Sequence, residues 1–136
     1  MKDKSVIDLY DEINEFGRVM GMEFKVVSPG HIEYFMKCTD KLLATEKHAH
    51  GGAIAAMMDG VLGVAALSAV EQENKRVATV EFKINFLSPV ALGDQLKGTG
   101  KVLRKGKKII VTEGEIVNQH GEQVAIATGT LSSYHL

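Results

Sequence analysis

His50–Val70, HGGAIAAMMDGVLGVAALSAV, is the stretch on which the fold turns. Ile54, Met57, Met58, Val61, Leu62, Val64 and Leu67 are large and apolar, and mostly Ala and Gly lie between them. That composition predicts a helix from near His50 to about Val70, apolar nearly all round and so buried on all sides. Asp59 interrupts the run, and the Ala and Gly content weakens it. It therefore reads as a core helix rather than a membrane span.

Before it, Ile7, Leu9, Tyr10, Ile13 and Phe16 recur near helical spacing and predict one N-terminal helical segment, residues 1–21, ended by Gly17 or Gly21. Two strand-like runs follow, Glu23 to Val27 and Ile32 to Cys38, with Ser28-Pro29-Gly30 as the turn. Residues 39 to 49 read as loop. After the central helix comes a charged loop, Glu71 to Arg76. Then Ala78, Val80, Phe82, Ile84 and Phe86 alternate with Thr79, Glu81, Lys83 and Asn85, a period-two strand broken by Ser88-Pro89. Three more strands are expected at about 94–104, 108–117 and 122–133, with turns at Gly106 and at Asn118 to Gly121.

The order is helix, two strands, buried helix, four strands. Hairpin-linked strands imply an antiparallel sheet, and so an α+β fold. One sheet of about five or six strands must curl around the central helix. It cannot enclose the helix fully, so the remaining face predicts a second subunit and a homodimer at least. The 136 residues have room for one domain, 1–136, large enough for a core without disulfide or metal staples.

Net charge is −1, which removes the electrostatic argument for nucleic acid or an anionic membrane as partner. Cys38 is the only cysteine, so neither an intrachain disulfide nor a cysteine zinc site is available. It reads as a small buried hydrophobe rather than a nucleophile. MKDKSVIDLYDEINEF is charged and lacks an apolar segment, unlike a signal peptide. A cytoplasmic protein is expected.

Asp59 is the one ionisable residue between His50 and Val70. Burying a carboxylate is costly unless it is paired, and aspartate is a poor helix-interior residue. Two readings follow: a catalytic carboxylate lining a pocket, or an interface carboxylate paired with Lys or Arg. Gly51-Gly52 either lets a ligand approach the free N–H groups of the helix start or simply makes a sharp turn. Such N–H groups can hold an oxyanion. Asp59 lies eight residues beyond Gly51, ~12 Å along the axis at ~1.5 Å per residue. One chain cannot bring both to one carbonyl. If both act together, they come from two subunits with antiparallel helices.

His50-Gly51-Gly52-Ala53-Ile54-Ala55-Ala56-Met57-Met58-Asp59 resembles the HGG-x6-Asp signature of hotdog-fold acyl-CoA thioesterases, in the phenylacetic-acid-degradation-type branch. The resemblance covers nearly the whole chain after about residue 20, including Phe86-Leu87-Ser88-Pro89-Val90 and Ala127-Thr128-Gly129-Thr130. It implies a curved antiparallel sheet around a long helix, dimers and commonly dimers of dimers, and hydrolysis of an acyl-CoA. No separate cofactor or metal is implied; CoA is part of the substrate. By analogy, the Gly51 N–H polarises the thioester carbonyl, and Asp59 of the facing subunit attacks it or activates a water. Thr79 helps hold that water or carboxylate, unless it is an ordinary strand threonine.

His50 is expected to fix the helix start rather than act as a base, and His48 to be a loop histidine. His50, Gly52, Met58 and Leu62 are candidate substrate contacts, the last two as acyl-pocket walls beside Met57 and Val61. Arg104, Lys105, Lys107 and Lys108 could meet the CoA phosphates or form a solvated hairpin tip. One departure is Ala44, where many relatives carry Asn or Gln; Thr45, His48 or a water would have to replace the amide. Alternatives are a hotdog dehydratase or hydratase, a non-catalytic acyl-CoA binder, and a structural oligomer.

Overall fold

The computed structural model describes residues 4–135; residues 1–3 of the expected N-terminal segment, and residue 136, lie outside them. The segment is two helices, α1 (Val6–Ile13) and α2 (Glu15–Met20), rather than one. Asn14 makes the break. Its Oδ1 accepts the Gly17 N–H at 3.1 Å and starts α2, the local competition with the helix ladder that asparagine offers. Gly17 lies inside α2, and Gly21, at φ 75°, ends it.

Six strands form one antiparallel sheet: β1 (Glu23–Ser28), β2 (His31–Lys37), β3 (Lys75–Phe86), β4 (Gln95–Lys105), β5 (Ile109–Val117) and β6 (Gln123–His135). Their spatial order is β1-β2-β4-β5-β6-β3, so β3 is an edge strand. The expected loop 39–49 contains a short 3₁₀ turn, Asp40–Leu42, and isolated bridges Leu43–Ala49 and His48–Ala91. The expected charged loop is shorter than Glu71–Arg76: a 3₁₀ turn, Glu71–Glu73, leads through Asn74 into β3.

The central helix α3 is Gly51–Val70. The sheet can close on it because facing positions of β4 and β5 are glycine. A Cβ on Gly98 would stand 2.5 Å from Val61 Cγ2, one on Gly100 2.4 Å from the Val61 carbonyl oxygen, and one on Gly114 2.7 Å from Met58 Sδ. Backbone therefore packs against helix where ordinary side chains would hold the layers apart. By length and composition alone, Gly51–Glu73 could cross a membrane. Its large side chains instead fill the core within the curl of the sheet.

Burial on all sides is not reached within one chain. Gly52, Ala55, Ala56, Asp59, Gly60 and Gly63 are exposed or half-buried. They form one stripe at helical spacing, and every member but Asp59 is small.

β3 departs from its simple alternation. Thr79 pairs with Leu131 and Glu81 with Thr130, so Val80 is an extra residue, a β-bulge. The bulge changes the phase of the strand. Val77 packs on the core on one side of it, Phe82 and Ile84 on the other, while Val80 is exposed. Thr79, expected on the polar face opposite Phe82, instead stands on the helix side.

Candidate active site

The start of α3 is built by His50. Its backbone is extended, and its Nδ1 accepts the Gly52 N–H at 2.7 Å. Its carbonyl accepts the Ala53 N–H at 3.0 Å, and its own N–H donates to Leu42 O at 2.7 Å. His50 is thus a helix cap, with Nδ1 engaged. Among the described residues the Gly51 N–H has no partner, and Gly51 is exposed. Around it Ile54, Phe86, Leu87, Pro89 and Val124 line a shallow depression of about 330 Å³.

Asp59 sits two turns further on. Thr79 Oγ1 donates to Asp59 Oδ1 at 2.7 Å. The contact requires the bulge at Val80, which turns Thr79 toward α3. Asp59 is exposed in the single chain, contrary to the expectation of a buried carboxylate, because it lies on the uncovered stripe. Both Asp59 and Thr79 border a cavity of about 510 Å³ between α3, the β3–β6 edge and the N-terminal helices.

Beside Asp59 the helix is Gly60, and the Tyr34 hydroxyl fills the place of its absent Cβ, 2.6 Å from that position. Burial, reinforced by the charges of Tyr10, Asp11 and Asp59, pushes the Tyr34 phenol well up. Burial also raises Tyr10, with smaller contributions from Asp59 and Asp11. Both tyrosines line the cavity. Sequence reading missed them as site residues. Tyr10 was legible only as a member of a helical stripe, and Tyr34 carried no signal beyond strand composition.

The Gly51 N–H and the Asp59 carboxylate are therefore at different openings of the chain, separated by ~12 Å of helix. Gly51 and Asp59 are both exposed in the single chain.

The family model described as the thioesterase superfamily matches residues 46–125, which include Gly51, Asp59 and Thr79. The chain belongs to that superfamily. It is similar to the acyl-coenzyme A thioesterase PaaI of Escherichia coli, 30% identical over 112 residues, 82% of this chain and 77% of that one. The structure of E. coli PaaI, from the phenylacetic acid degradation operon, superposes with a TM-score of 0.83 at 25% identity, covering 94% and 90% of the two chains. A Streptococcus pneumoniae hypothetical thioesterase protein solved with coenzyme A gives a TM-score of 0.76 at 26% identity, over 84% and 89%. The chain also matches 56% of the length of a curated Saccharolobus solfataricus relative, at 41% identity over 81 residues. The fold is the hotdog fold of these thioesterase structures, with its curved sheet and central helix.

In this superfamily member the other expected contacts are dispersed. Met58 and Leu62 do not border the cavity beside Asp59. They are buried against Gly114 and Gly129 of the sheet and belong to the core. Gly52 borders neither cavity, and its N–H is held by His50. Arg104, Lys105, Lys107 and Lys108 are exposed at the β4–β5 turn. Lys105 pairs with Glu73, whose carboxyl it lowers, and Lys75 Nζ donates to Lys107 O at 3.3 Å. Glu73 follows the C-terminal end of α3, so this cluster stands at the opposite end of the helix from Gly51 of its own chain. Ala44 is exposed. Thr45 Oγ1 next to it accepts the His48 N–H at 3.1 Å, which holds the loop. Cys38 is buried, and burial pushes its thiol up.

Proposed function

We propose that this protein hydrolyses an acyl-CoA thioester, with Asp59 of one subunit and the Gly51 N–H of its partner acting at one carbonyl. The hydrogen bond from Thr79 to Asp59 at a cavity wall carries the reading. It engages Oδ1 and leaves Oδ2 for the reaction. In the general-base form, Oδ2 takes a proton from a water whose oxygen adds to the carbonyl carbon. The developing oxyanion accepts the Gly51 N–H. Collapse breaks the C–S bond, and the CoA sulfur leaves and takes up a proton. In the nucleophilic form, Oδ2 itself adds, and water cleaves the resulting anhydride. CoA is part of the substrate, so no further cofactor or metal enters.

The separation of Gly51 from Asp59 favours a homodimer with antiparallel α3 helices. The small-residue stripe allows close approach, and the free edge of β3 offers a second pairing surface. Dimers of dimers and a cytoplasmic setting belong to the same reading. So does a nucleotide contact at Arg104, Lys105, Lys107 and Lys108.

Free-thiol release from a panel of acyl-CoAs tests the proposal. Wild type releases thiol, and Asp59→Asn does so at least ~100-fold more slowly. Undiminished release by Asp59→Asn overturns it. Ala44, in the place where many members of the resembled family carry an amide, favours a second reading, a non-catalytic acyl-CoA binder. Stabilisation by acyl-CoA with no thiol release selects that one.

A further inference from the structure

The cavity beside Asp59 has a roof made by the chain's own N-terminal helices. Tyr10 and Ile13 of α1, Asn14 at the break and Phe16 of α2 border it. Its floor is α3 from Ala56 to Leu67, and its side wall runs along β3 and β6. All three tyrosines of the chain, Tyr10, Tyr34 and Tyr134, line this one space.

Two lengths agree on its reach. From Asp59 to Leu67 is eight residues of helix, ~12 Å. From Thr79 to Arg76 is three residues of strand, ~10 Å. An extended chain advances ~1.2 Å per bond, from the 3.3–3.6 Å spanned by the three backbone bonds of a residue. The space therefore takes about eight to ten chain atoms beyond a carbonyl held at Asp59.

Its polarity is equally specific. The Tyr34 hydroxyl donates to Met22 Sδ at 3.6 Å, and the Tyr10 hydroxyl accepts from Asn14 Nδ2 at 3.2 Å. Those polar groups are already engaged within the protein. Arg76 and its sheet partner Tyr134 bring polar groups to the far end, and the wall between them and the Asp59–Thr79 end is mainly ring, Val, Leu and Met surface. Phe16 and Ile13 are large apolar residues left exposed on the roof, as expected of side chains waiting for an apolar ligand.

We infer that this cavity is the acyl site, that it takes an unsubstituted acyl chain of roughly eight to ten carbons, and that Phe16 and Ile13 of the roof set that preference. The inference rests on the proposed acyl-CoA chemistry at Asp59. Tyr10, Phe24 and Tyr34 tie the roof to the catalytic helix. The Tyr10–Phe24 and Phe24–Tyr34 ring centroids are each 6.0 Å apart, and Tyr34 ends on Gly60. The roof is thereby held at a defined height over α3.

The test uses the full-length protein and two readouts. Binding of non-hydrolysable thioether analogues of acyl-CoA, from two to twelve carbons, is measured by calorimetry on Asp59→Asn. Thiol release by the corresponding thioesters is measured on wild type. Affinity should climb with length to eight or ten carbons and then level. Phe16→Ala should lower the ten-carbon to two-carbon affinity ratio about tenfold. Ile13→Ser, at an exposed position that tolerates a polar side chain, should lower it in the same direction if Phe16→Ala fails to fold. A flat length profile, an equal loss at every length in both variants, or a preference for a chain of the same length ending in a carboxylate (which would assign Arg76 the far end) overturns the inference. Length-dependent binding without thiol release in wild type would leave the acyl site standing and remove the hydrolase reading. Thiol release without length dependence would do the reverse.

Discussion

Thr79 Oγ1 donates to Asp59 Oδ1 at 2.7 Å, joining an edge strand to the central helix across 20 positions of sequence. The bond orients a carboxylate that α3 alone would leave free to rotate. Thr79→Ala should therefore lower kcat roughly 10- to 100-fold with a smaller change in KM. Thr79→Ser, which keeps the donor, should recover most of the rate. Steady-state kinetics on one acyl-CoA decides. Equal kinetics in wild type and Thr79→Ala would show that the bond is structural only.

The proposed division of the site between subunits predicts complementation. Asp59→Asn and Gly51→Pro should each be nearly inactive as homo-oligomers. After mixed re-association, each heterodimer has one site with both defects and one with neither. Random pairing then returns about one quarter of wild-type activity. Native mass spectrometry confirms the exchange, and circular dichroism confirms that Gly51→Pro folds. Exchange with no recovered activity would overturn the antiparallel shared-site model.

Light scattering at micromolar concentration should give at least a dimer. Ala55→Glu, which puts a charge on the uncovered stripe of α3 at a position that does not border the cavity beside Asp59, should shift the protein toward monomer and reduce thiol release with it. A wild-type monomer that still turns over substrate would contradict the shared site.

Gly100→Ala probes the close approach of sheet to helix. The new methyl would stand 2.4 Å from the Val61 carbonyl oxygen, a backbone atom that cannot rotate away. A loss of about 1–3 kcal/mol or more is expected. Urea denaturation with an unchanged midpoint would show that the layers can part without cost.

Tyr10 and Tyr34 predict an alkaline limit to stability. Both phenols lie above their ordinary value of 10.0 in the folded chain, chiefly through burial. In the unfolded chain they ionise first, so the unfolded state binds fewer protons once pH passes 10, and stability falls as pH rises further. Below pH 10 both states are protonated and the contribution is complete. Unfolding midpoints between pH 8 and 11 should be flat and then decline, and the decline should be shallower in Tyr34→Phe.

The sequence by itself determined the central helix, the order of the six strands about it, and the distance between Gly51 and Asp59. These follow from local causes. Periodicity reports which face a segment buries, and helical rise converts eight residues into a length. The role of His50 at the helix start was legible for the same reason, since a cap is satisfied within two or three residues. Tertiary structure alone decided which side of β3 carries Thr79. Alternation from Ala78 to Phe86 places Thr79 opposite Phe82, whereas pairing with β6 admits one extra residue at Val80 and brings both to α3. A bulge is a property of two strands, and neither strand records it alone. Met58 and Leu62 moved from pocket to core for a similar reason. An all-apolar helix does not say which of its faces the sheet will cover, and here glycines far away in sequence, at 98, 100, 114 and 129, made that choice. The meeting of Tyr10, Tyr34 and Asp59 around one cavity came from packing of the N-terminal helices over α3, a contact between segments whose own patterns were already satisfied.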